Sequence, residues 1–334
     1  MSEPNMPKTS DGNVVAEEPL FSTPYGFIYE NTATNSLSCL SQKMIDELVA
    51  EGNGNVEMPI GRNRINDVEY LMIPSKVNLS GSTAQMFDYI VQLFTEKVYR
   101  NATPKTIEEN RTIDIDLKDV SEKFGLTMRA TRDMVLRTVS SLDNIKIRRL
   151  DIPETKKGDI KIRSFRIFSE QIDVFDGKVI KNSHTQVVLH ERLAELLPIA
   201  YLMRYPENLY KINTARYTNA FMFGRRLCLH YRINVNKGNG LEDHIGADVL
   251  LDLAYSIPKK EDIERKGELR RRIVRPFVRD MDVLVEKHIL SEWFLVDKET
   301  NVRIKNPNVI SPKKLKESFV YFHLLNYPKE KAVS

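Results

Sequence analysis

The sequence has few of the residues on which disulfide frameworks, zinc sites and membrane spans depend. Two cysteines, Cys39 and Cys228, occur in 334 residues, and neither belongs to a CxxC pair. This spacing indicates neither a disulfide framework nor a zinc site, and it fits a reducing cytoplasm. No run approaches about 18 apolar residues, and the polar N-terminus has no signal-peptide core. We therefore expect a soluble, unexported protein that does not associate with a membrane.

The chain also lacks the spacings that catalysis needs. No two of its six histidines are separated by one residue, although relaxases and rolling-circle initiators use such a pair to hold a metal beside a tyrosine. The stretch HERLA at His190 lacks a second metalloprotease histidine, and no GxxxxGK[ST] loop occurs. Asp114 and Asp116 alternate along a predicted strand, and we expect both to face solvent. We expect no enzyme, no metal and no cofactor.

The charge of the chain is small in total but unevenly distributed. The formal net charge is +4, yet residues 1–60 contain only Lys8 and Lys43 against nine acidic residues. This asymmetry predicts an acidic arm on a basic body. The length suffices for two modest domains. We predict a partly disordered acidic N-terminal arm over residues 1–75, a first domain over 76–183 and a second domain over 184–334.

The first predicted domain begins with a helix at SGSTAQMFDYIVQLFTEKVY, where Ser82 is a candidate cap. A strand at TIDIDL follows, then a short helix closed by Gly125 and a second helix that starts at Thr127. The segments IKIRRLDI and IKIRSFRIF, joined by a polar tip, predict a β-hairpin. A further strand, DVEYLMI, precedes the domain at Asp67 to Ile73.

The second predicted domain repeats this order from about Thr185. A strand and helix at TQVVLHERLAELL lead to a long helix at TARYTNAFMFGRRLCLHYRI and a short one at GADVLLDLAYSI. A basic helix, GELRRRIVRPFVRDMDVL, precedes a hairpin built from ILSEWFLV, VRIK and SFVYFHLL. Helix, short helix, basic helix and hairpin form a helix-turn-helix with a β-wing. The predicted fold class is α+β, with two tandem winged-helix domains, although chance repetition is an alternative because helices and hairpins are common.

The basic helix of the second domain has two distinct faces. At about 100° per residue, Leu269, Ile273, Phe277, Met281 and Leu284 fall in one sector. Four arginines fall roughly opposite: Arg271, Arg272, Arg275 and Arg279. Arginine favours planar, bidentate recognition of phosphate or guanine. The alternative is a solvated face paired with Glu264, Glu268 and Asp280.

In the first domain, the same analysis predicts a buried face for the helix after Thr127, with Arg129 and Arg137 facing away from it. The buried positions are Met134, Val135, Val139, Leu142 and Ile145. Helix and wing together could straddle a DNA groove and its phosphates. The complete predicted DNA-binding set is Arg271, Arg272, Arg275, Arg279, Lys259, Lys260, Lys266, Arg129, Arg137, Arg148, Lys156, Lys157, Lys161, Arg303 and Lys305.

The segment LRRRIVRPFVRDMDVL resembles the signature helix of the iteron-binding plasmid replication initiators of the Rep_3 type. The positions that carry the resemblance are Arg271, Arg272, Ile273, Val274, Pro276, Phe277, Val278 and Asp280. The segments STAQMFDYIVQLF, DLKDVSEKFGL and ATRDMVLRTVSSL are similar to the first winged helix of that family. The acidic arm departs from the family pattern. Pro276 lies inside the signature, and we expect a kink or a new helix start there.

The resemblance implies a replication initiator that binds repeated origin sites in double-stranded DNA. Arg271, Arg272 and Arg275 would enter or border the major groove, while Arg279 and the wings would contact phosphates. The family also implies a homodimer that represses its own gene, recruitment of a host initiator and replicative helicase, and a cytoplasmic location at the nucleoid or plasmid. Alternatives are a double winged-helix transcriptional regulator, a nuclease or relaxase with an unrecognised metal site, and an adaptor for an acidic protein.

Overall fold

A computed structural model describes a mixed α and β protein. The described residues are 25–30, 55–64, 67–74, 81–151, 161–175, 182–199, 201–254, 256–258, 263, 268–325 and 327. Three strands lie within the predicted N-terminal arm: β1 (Tyr25–Glu30), β2 (Asn55–Arg64) and β3 (Asp67–Pro74). The last of these matches the predicted strand DVEYLMI.

The first half follows with four helices and five strands among the described residues. The helices are α1 (Gly81–Val98), α2 (Pro104–Glu109), α3 (Leu117–Phe124) and α4 (Met128–Asp143). The strands are β4 (Thr112–Asp116), β5 (Lys146–Asp151), β6 (Lys161–Arg166), β7 (Phe168–Phe175) and β8 (Asn182–Leu189). As predicted, α3 ends at Gly125 in the left-handed conformation (φ 64°), and the Thr127 side chain caps α4. Ser82 lies within α1 and is therefore not its cap.

The second half contains the remaining elements. Its helices are α5 (Glu191–Leu196), α6 (Thr218–Lys237), α7 (Ala247–Leu253), α8 (Arg275–Glu286) and α9 (Pro312–Lys316). A π-helical turn, Arg270–Val274, leads directly into α8. The strands are β9 (Tyr201–Pro206), β10 (His244–Gly246), β11 (Leu290–Asp297) and β12 (Ser318–Leu324).

The two halves share an order of elements and a sheet topology. In the first half, α1, β4, α3, α4, β7 and β8 occur in this order, with α2 inserted before β4 and the β5–β6 hairpin inserted before β7, and the antiparallel sheet has the order β4-β8-β7. In the second half, α6, β10, α7, α8, β11 and β12 occur in this order, with the π-helical turn inserted before α8 and α9 inserted before β12, and the sheet has the order β10-β12-β11. In both sheets the last strand of the chain lies between the other two. Helices α4 and α8 therefore occupy the same place in the two halves.

The predicted wing of the first half requires a correction. The hairpin of β5 and β6 exists, with Lys146 opposite Arg166, but β5 pairs with β3 in a separate sheet of order β2-β3-β5-β6. The hairpin beside β4 is instead β7 and β8. The strand TQVVL, expected to open the second half, thus lies in the sheet of the first half, and the 183/184 boundary divides β8. In both hairpins the strands show the same alternation of polar and apolar residues. The local sequence therefore does not reveal which hairpin pairs with β4.

Strand β1 connects the N-terminal region to the rest of the protein. It pairs antiparallel with β9, from Tyr25 opposite Pro206 to Glu30 opposite Tyr201. The Tyr29 backbone N–H donates to the Thr95 hydroxyl of α1 at 3.1 Å. The side chains of residues 25–29 are buried. At least this part of the predicted arm is consequently a component of the folded core.

The hydrophobic periodicity correctly predicted the buried faces of both basic helices. Ile273, Phe277, Met281 and Leu284 are each at most 4% exposed, and Leu269 packs partly buried against the same core. The predicted core face of α4 is likewise buried: Met134, Val135, Val139, Leu142 and Ile145. An apolar stripe at i, i+3, i+4 and i+7 needs a core on one side, and here one continuous core buries both stripes.

Candidate nucleic-acid interface

The outward face of the π-helical turn and α8 carries the predicted arginine row. Arg271, Arg272, Arg275 and Arg279 are all exposed. Val274, Phe277 and Met281 between them are completely buried. Because the apolar face is fixed in the core, the arginines are held on the surface. The separation of the two faces is the one that the sequence predicts.

Pro276 coincides with a change of helical geometry. The Arg275 N–H donates to the Arg270 carbonyl, five residues back, and regular α-helix begins at Arg275. Proline has no N–H to donate to the carbonyl four residues earlier, and it crowds the preceding turn. A wider π-turn accommodates this local loss. The expected new start of the helix at the proline is therefore present as a π-to-α transition.

An open groove runs beside the arginine row. Its volume is about 640 Å³, and it is lined by Tyr217, Arg271, Arg275, Pro276, Val278, Arg279, Asp282, Val283, Glu286 and Asn308. Three of the predicted DNA-binding arginines thus meet at one surface feature. Arg272 is absent from this lining and lies 3.9 Å from Glu268. Two acidic side chains, Asp282 and Glu286, also line the groove, and both lie in the C-terminal part of α8.

The alternative reading of the arginine row as a salt-bridged face accounts for only half of it. Arg279 pairs with Asp280, with 2.7 Å between Nη2 and Oδ1, and Arg272 pairs with Glu268. Within the described part of the chain, Arg271 and Arg275 form no ion pair. Glu264, the third predicted partner, lies outside the described residues. Arg271 and Arg275 are therefore the two cations of the row that no ion pair neutralises within the described part of the chain.

Helix α4 of the first half presents a weaker version of the same surface. Arg129 and Arg137 are exposed, as predicted, and Arg137 Nε donates to the Asp133 carbonyl at 3.0 Å. Met128, the first residue of α4, is 50% exposed. This face combines cations with one apolar side chain. Such a combination suits phosphate contacts and, for methionine, contact with an apolar base edge.

The structure locates some of the remaining predicted residues only in part. Arg148 lies opposite Ser164 in the β5–β6 hairpin, and Lys161 lies opposite Asp151. Their side chains are outside the description, and five predicted lysines are outside the described residues altogether: Lys156, Lys157, Lys259, Lys260 and Lys266. The hairpin that carries Arg148 and Lys161 belongs to the sheet of β2 and β3. No strand of this sheet is hydrogen-bonded to a strand of the sheet that contains β4.

Arg303 and Lys305 lie in the connection between β11 and β12, and both are exposed. The Arg303 guanidinium carbon is 4.1 Å from the centroid of the Phe294 ring. Phe294 in turn stacks on Tyr321 with 5.3 Å between ring centroids. A cation held over an aromatic face has restricted motion and stays directed outward. The β11–β12 connection therefore contains one orientated arginine.

Sequence reasoning missed three residues of this surface. Tyr217 and Asn308 line the groove, and the Arg216 guanidinium carbon is 5.1 Å from the Tyr217 ring centroid. Tyr217 precedes α6 and lies about sixty residues from Arg279 in sequence, so periodicity within one helix does not reveal it. The adjacent letters RY at the start of a helix are the only local signal.

Other predicted features stand as follows. Asp114 and Asp116 are exposed on β4; Asp114 accepts from Gln186 Nε2 at 2.6 Å, and Asp116 caps α3. His190 caps α5, accepting at Nδ1 from the Arg192 N–H at 3.2 Å, as the expected strand-to-helix junction requires. Among the described residues, no three metal-ligating side chains come together. No described helix has the length and apolarity needed to cross a bilayer.

The chain is similar to solved structures of another protein at low sequence identity. No protein-family profile matches the sequence, and no curated protein matches it. A crystal structure of selenomethionine derivatives of domains 2 and 3 of RctB matches with a TM-score of 0.45 and 12% identity, over 83% of this chain and 92% of that one. A second structure of RctB domains 2–3 gives a TM-score of 0.40 and 10% identity, over 82% and 92%. Similarities of this size do not identify the function of the chain.

Proposed function

We propose that the chain is a sequence-specific DNA-binding replication initiator of a plasmid or other mobile element, without catalytic chemistry of its own. In this proposal both halves are winged helices that bind repeated origin sites in double-stranded DNA. The second half reads bases through Arg271, Arg272 and Arg275, and the flanking cations contact phosphates. A homodimer that represses its own gene, and recruitment of a host initiator and replicative helicase, belong to the same proposal.

One observation carries the DNA-binding part. Helix α8, with its buried apolar face and exposed arginines, occupies the same place in its half as α4, whose exposed face carries Arg129 and Arg137. Helix-turn-helix proteins insert this helix into the major groove. Arginine can bind guanine O6 and N7 there with two hydrogen bonds. The signature that runs through Pro276 and Asp280 supports the assignment to replication initiation in particular.

Equilibrium binding tests this proposal. Fluorescence anisotropy would measure the affinity of the full chain for DNA from upstream of its own gene and for a random-sequence duplex, over a series of salt concentrations. We expect tighter binding to the upstream DNA, and an affinity that falls steeply with salt on both duplexes because phosphate contacts release counterions. Absence of binding at low salt would contradict the proposal and favour an acidic protein as the partner.

A further inference from the structure

A cluster that joins Arg279 to two residues outside the predicted DNA-binding set, Arg216 and Tyr217, lies at the edge of the groove. Tyr217, immediately before α6, is approached by two guanidinium groups. The Arg216 guanidinium carbon is 5.1 Å from the ring centroid and that of Arg279 is 5.4 Å from it. The turn before α6 and helix α8 therefore place two cations against one aromatic ring. Both arginine side chains are on the surface.

The Arg279 side chain is hydrogen-bonded to the buried carboxylate of Asp280, the next residue of α8. Asp280 is completely buried, its Oδ1 accepts from Arg279 Nε at 2.8 Å, and the same oxygen lies 2.7 Å from Nη2 in an ion pair. The hydrogen bond uses one of the five N–H donors of a guanidinium, and the Arg279 side chain is still 49% exposed. The remaining donors are available for a ligand. The orientation of Arg279 is thus set from the core side.

The second oxygen of Asp280 connects this support to α6. Asn219 Nδ2 donates to Asp280 Oδ2 at 2.7 Å and to Ser256 Oγ at 2.6 Å, and the Ser256 N–H donates to Asn219 Oδ1 at 3.3 Å. The amide thereby joins α8, the start of α6 and the chain after α7. Because Asp280 and Asn219 are both completely buried, the network has few alternative geometries.

We propose that Arg216, Tyr217 and Arg279 form a binding site for a backbone phosphate of duplex DNA, and that Asp280 is the positioning residue for Arg279. The inference rests on the proposed function, since the cluster adjoins the groove that contains Arg271 and Arg275. Phosphate suits the cluster because the two guanidinium groups are exposed and both lie against one aromatic ring. Contacts to phosphate fix the register of a protein on DNA without reading its sequence.

The charge of Arg216 gives the first test. Affinities of the wild type and of Arg216→Ala would be measured by anisotropy on the upstream DNA and on a random-sequence duplex, across salt. We expect the slope of log affinity against log salt to fall by about 0.9, the value for one lost phosphate contact, with the same fold loss on both duplexes. Lys237→Ala is the matched control: it removes one positive charge from the far end of α6, about 30 Å along the helix, and should change neither quantity.

Asp280→Asn gives the sharper test, because the added positive charge and the loss of positioning should change the affinity for DNA in opposite directions. The substitution makes the protein more positive by one unit, so a purely electrostatic role for Arg279 predicts equal or tighter binding. A positioning role predicts weaker binding on both duplexes, on the order of tenfold, because the charge-assisted hydrogen bond and the ion pair that orientate Arg279 are lost. Arg279→Lys keeps the positive charge but lacks the planar, forked N–H donors of a guanidinium. We expect it to weaken DNA binding to the same extent as Asp280→Asn.

Folding is checked by circular dichroism and thermal melting of each variant. If Asp280→Asn is unfolded at the assay temperature, Arg279→Lys alone decides, because it alters an exposed side chain. Wild-type affinity in both Arg279→Lys and Arg216→Ala would overturn the inference while leaving DNA binding intact. Failure of the wild type to bind either duplex would instead overturn the proposed function.

Discussion

Arg225 of α6 and Asp88 of α1 form an ion pair that is almost completely shielded from solvent, with 2.8 Å between Nε and Oδ2. The Tyr205 hydroxyl donates to the same carboxylate oxygen at 2.9 Å. Burial, with the adjacent carboxylate, raises the pKa of Tyr205 well above its ordinary value, so the phenol remains a donor. This pair joins α1 of the first half to α6 of the second half. The two halves are therefore connected by a polar contact inside a shared core.

Removal of one partner of this pair should destabilise the protein strongly. We expect Asp88→Ala to lower the free energy of unfolding by about 3–5 kcal/mol, because Arg225 would stay buried without its counter-charge. Urea denaturation followed by circular dichroism measures the change. The double variant Asp88→Ala/Arg225→Met should lose less than the sum of the two single variants. Additive losses would show that the two side chains do not stabilise each other.

The groove arginines without ion pairs should determine sequence preference. Arg271→Ala and Arg275→Ala are each expected to cost about 1–3 kcal/mol on the upstream DNA and little on a random duplex. Lys305→Ala, in the β11–β12 connection, should weaken binding to both duplexes about equally. Competition anisotropy with the two duplexes measures the ratio. Equal, sequence-independent losses from all three variants would argue against base reading by α8.

The Phe294 ring should contribute to DNA binding through Arg303. A cation–π contact at an exposed site is worth about 0.5–1 kcal/mol, so Phe294→Leu should weaken binding by roughly two- to fivefold. In the Arg303→Ala background the same substitution should have no further effect on affinity. This double-mutant cycle separates the contact from any loss of stability, which thermal melting reports independently. Independent, additive effects of the two substitutions would refute the coupling.

Protonation of His190 should destabilise the fold at mildly acidic pH. Burial, with the nearby Arg111 charge, lowers the pKa of His190 below its ordinary value. The unfolded state then binds more protons, so this contribution is present above about pH 6.5 and is lost as the pH falls through the folded pKa. His190→Asn keeps a capping acceptor and cannot titrate.

Urea midpoints measured at several pH values between about 5 and 8 test this contribution. We expect His190→Asn to lose less stability on acidification than the wild type. His288→Asn is the control, since His288 is exposed and has a positive φ of 54° that asparagine tolerates. An unchanged pH dependence in His190→Asn would show that protonation of His190 contributes nothing to the loss of stability in acid.

Local sequence patterns predicted the helices of this protein better than the pairing of its strands. The stripe from Leu269 to Leu284 determines which face of the basic helix is buried, because helical neighbours are close in sequence. The partner of β4 depends on contacts between strands far apart in the chain, and two alternating hairpins, β5–β6 and β7–β8, satisfy the local rule equally. The contact of Tyr217 with Arg279 is also non-local. For the same reason no local pattern indicates the ion pair of Arg225 with Asp88, which joins residues far apart in the chain.

Footprinting is the measurement that tests the central claim most directly. The purified chain would be mixed with DNA spanning its own gene and upstream region at two salt concentrations, and the protected positions mapped. The proposed function predicts protection of several similar, evenly spaced sequences, weaker at the higher salt. A single palindromic site would instead indicate a transcriptional regulator. No protection even at the lower salt would contradict DNA binding through the arginine row of α8.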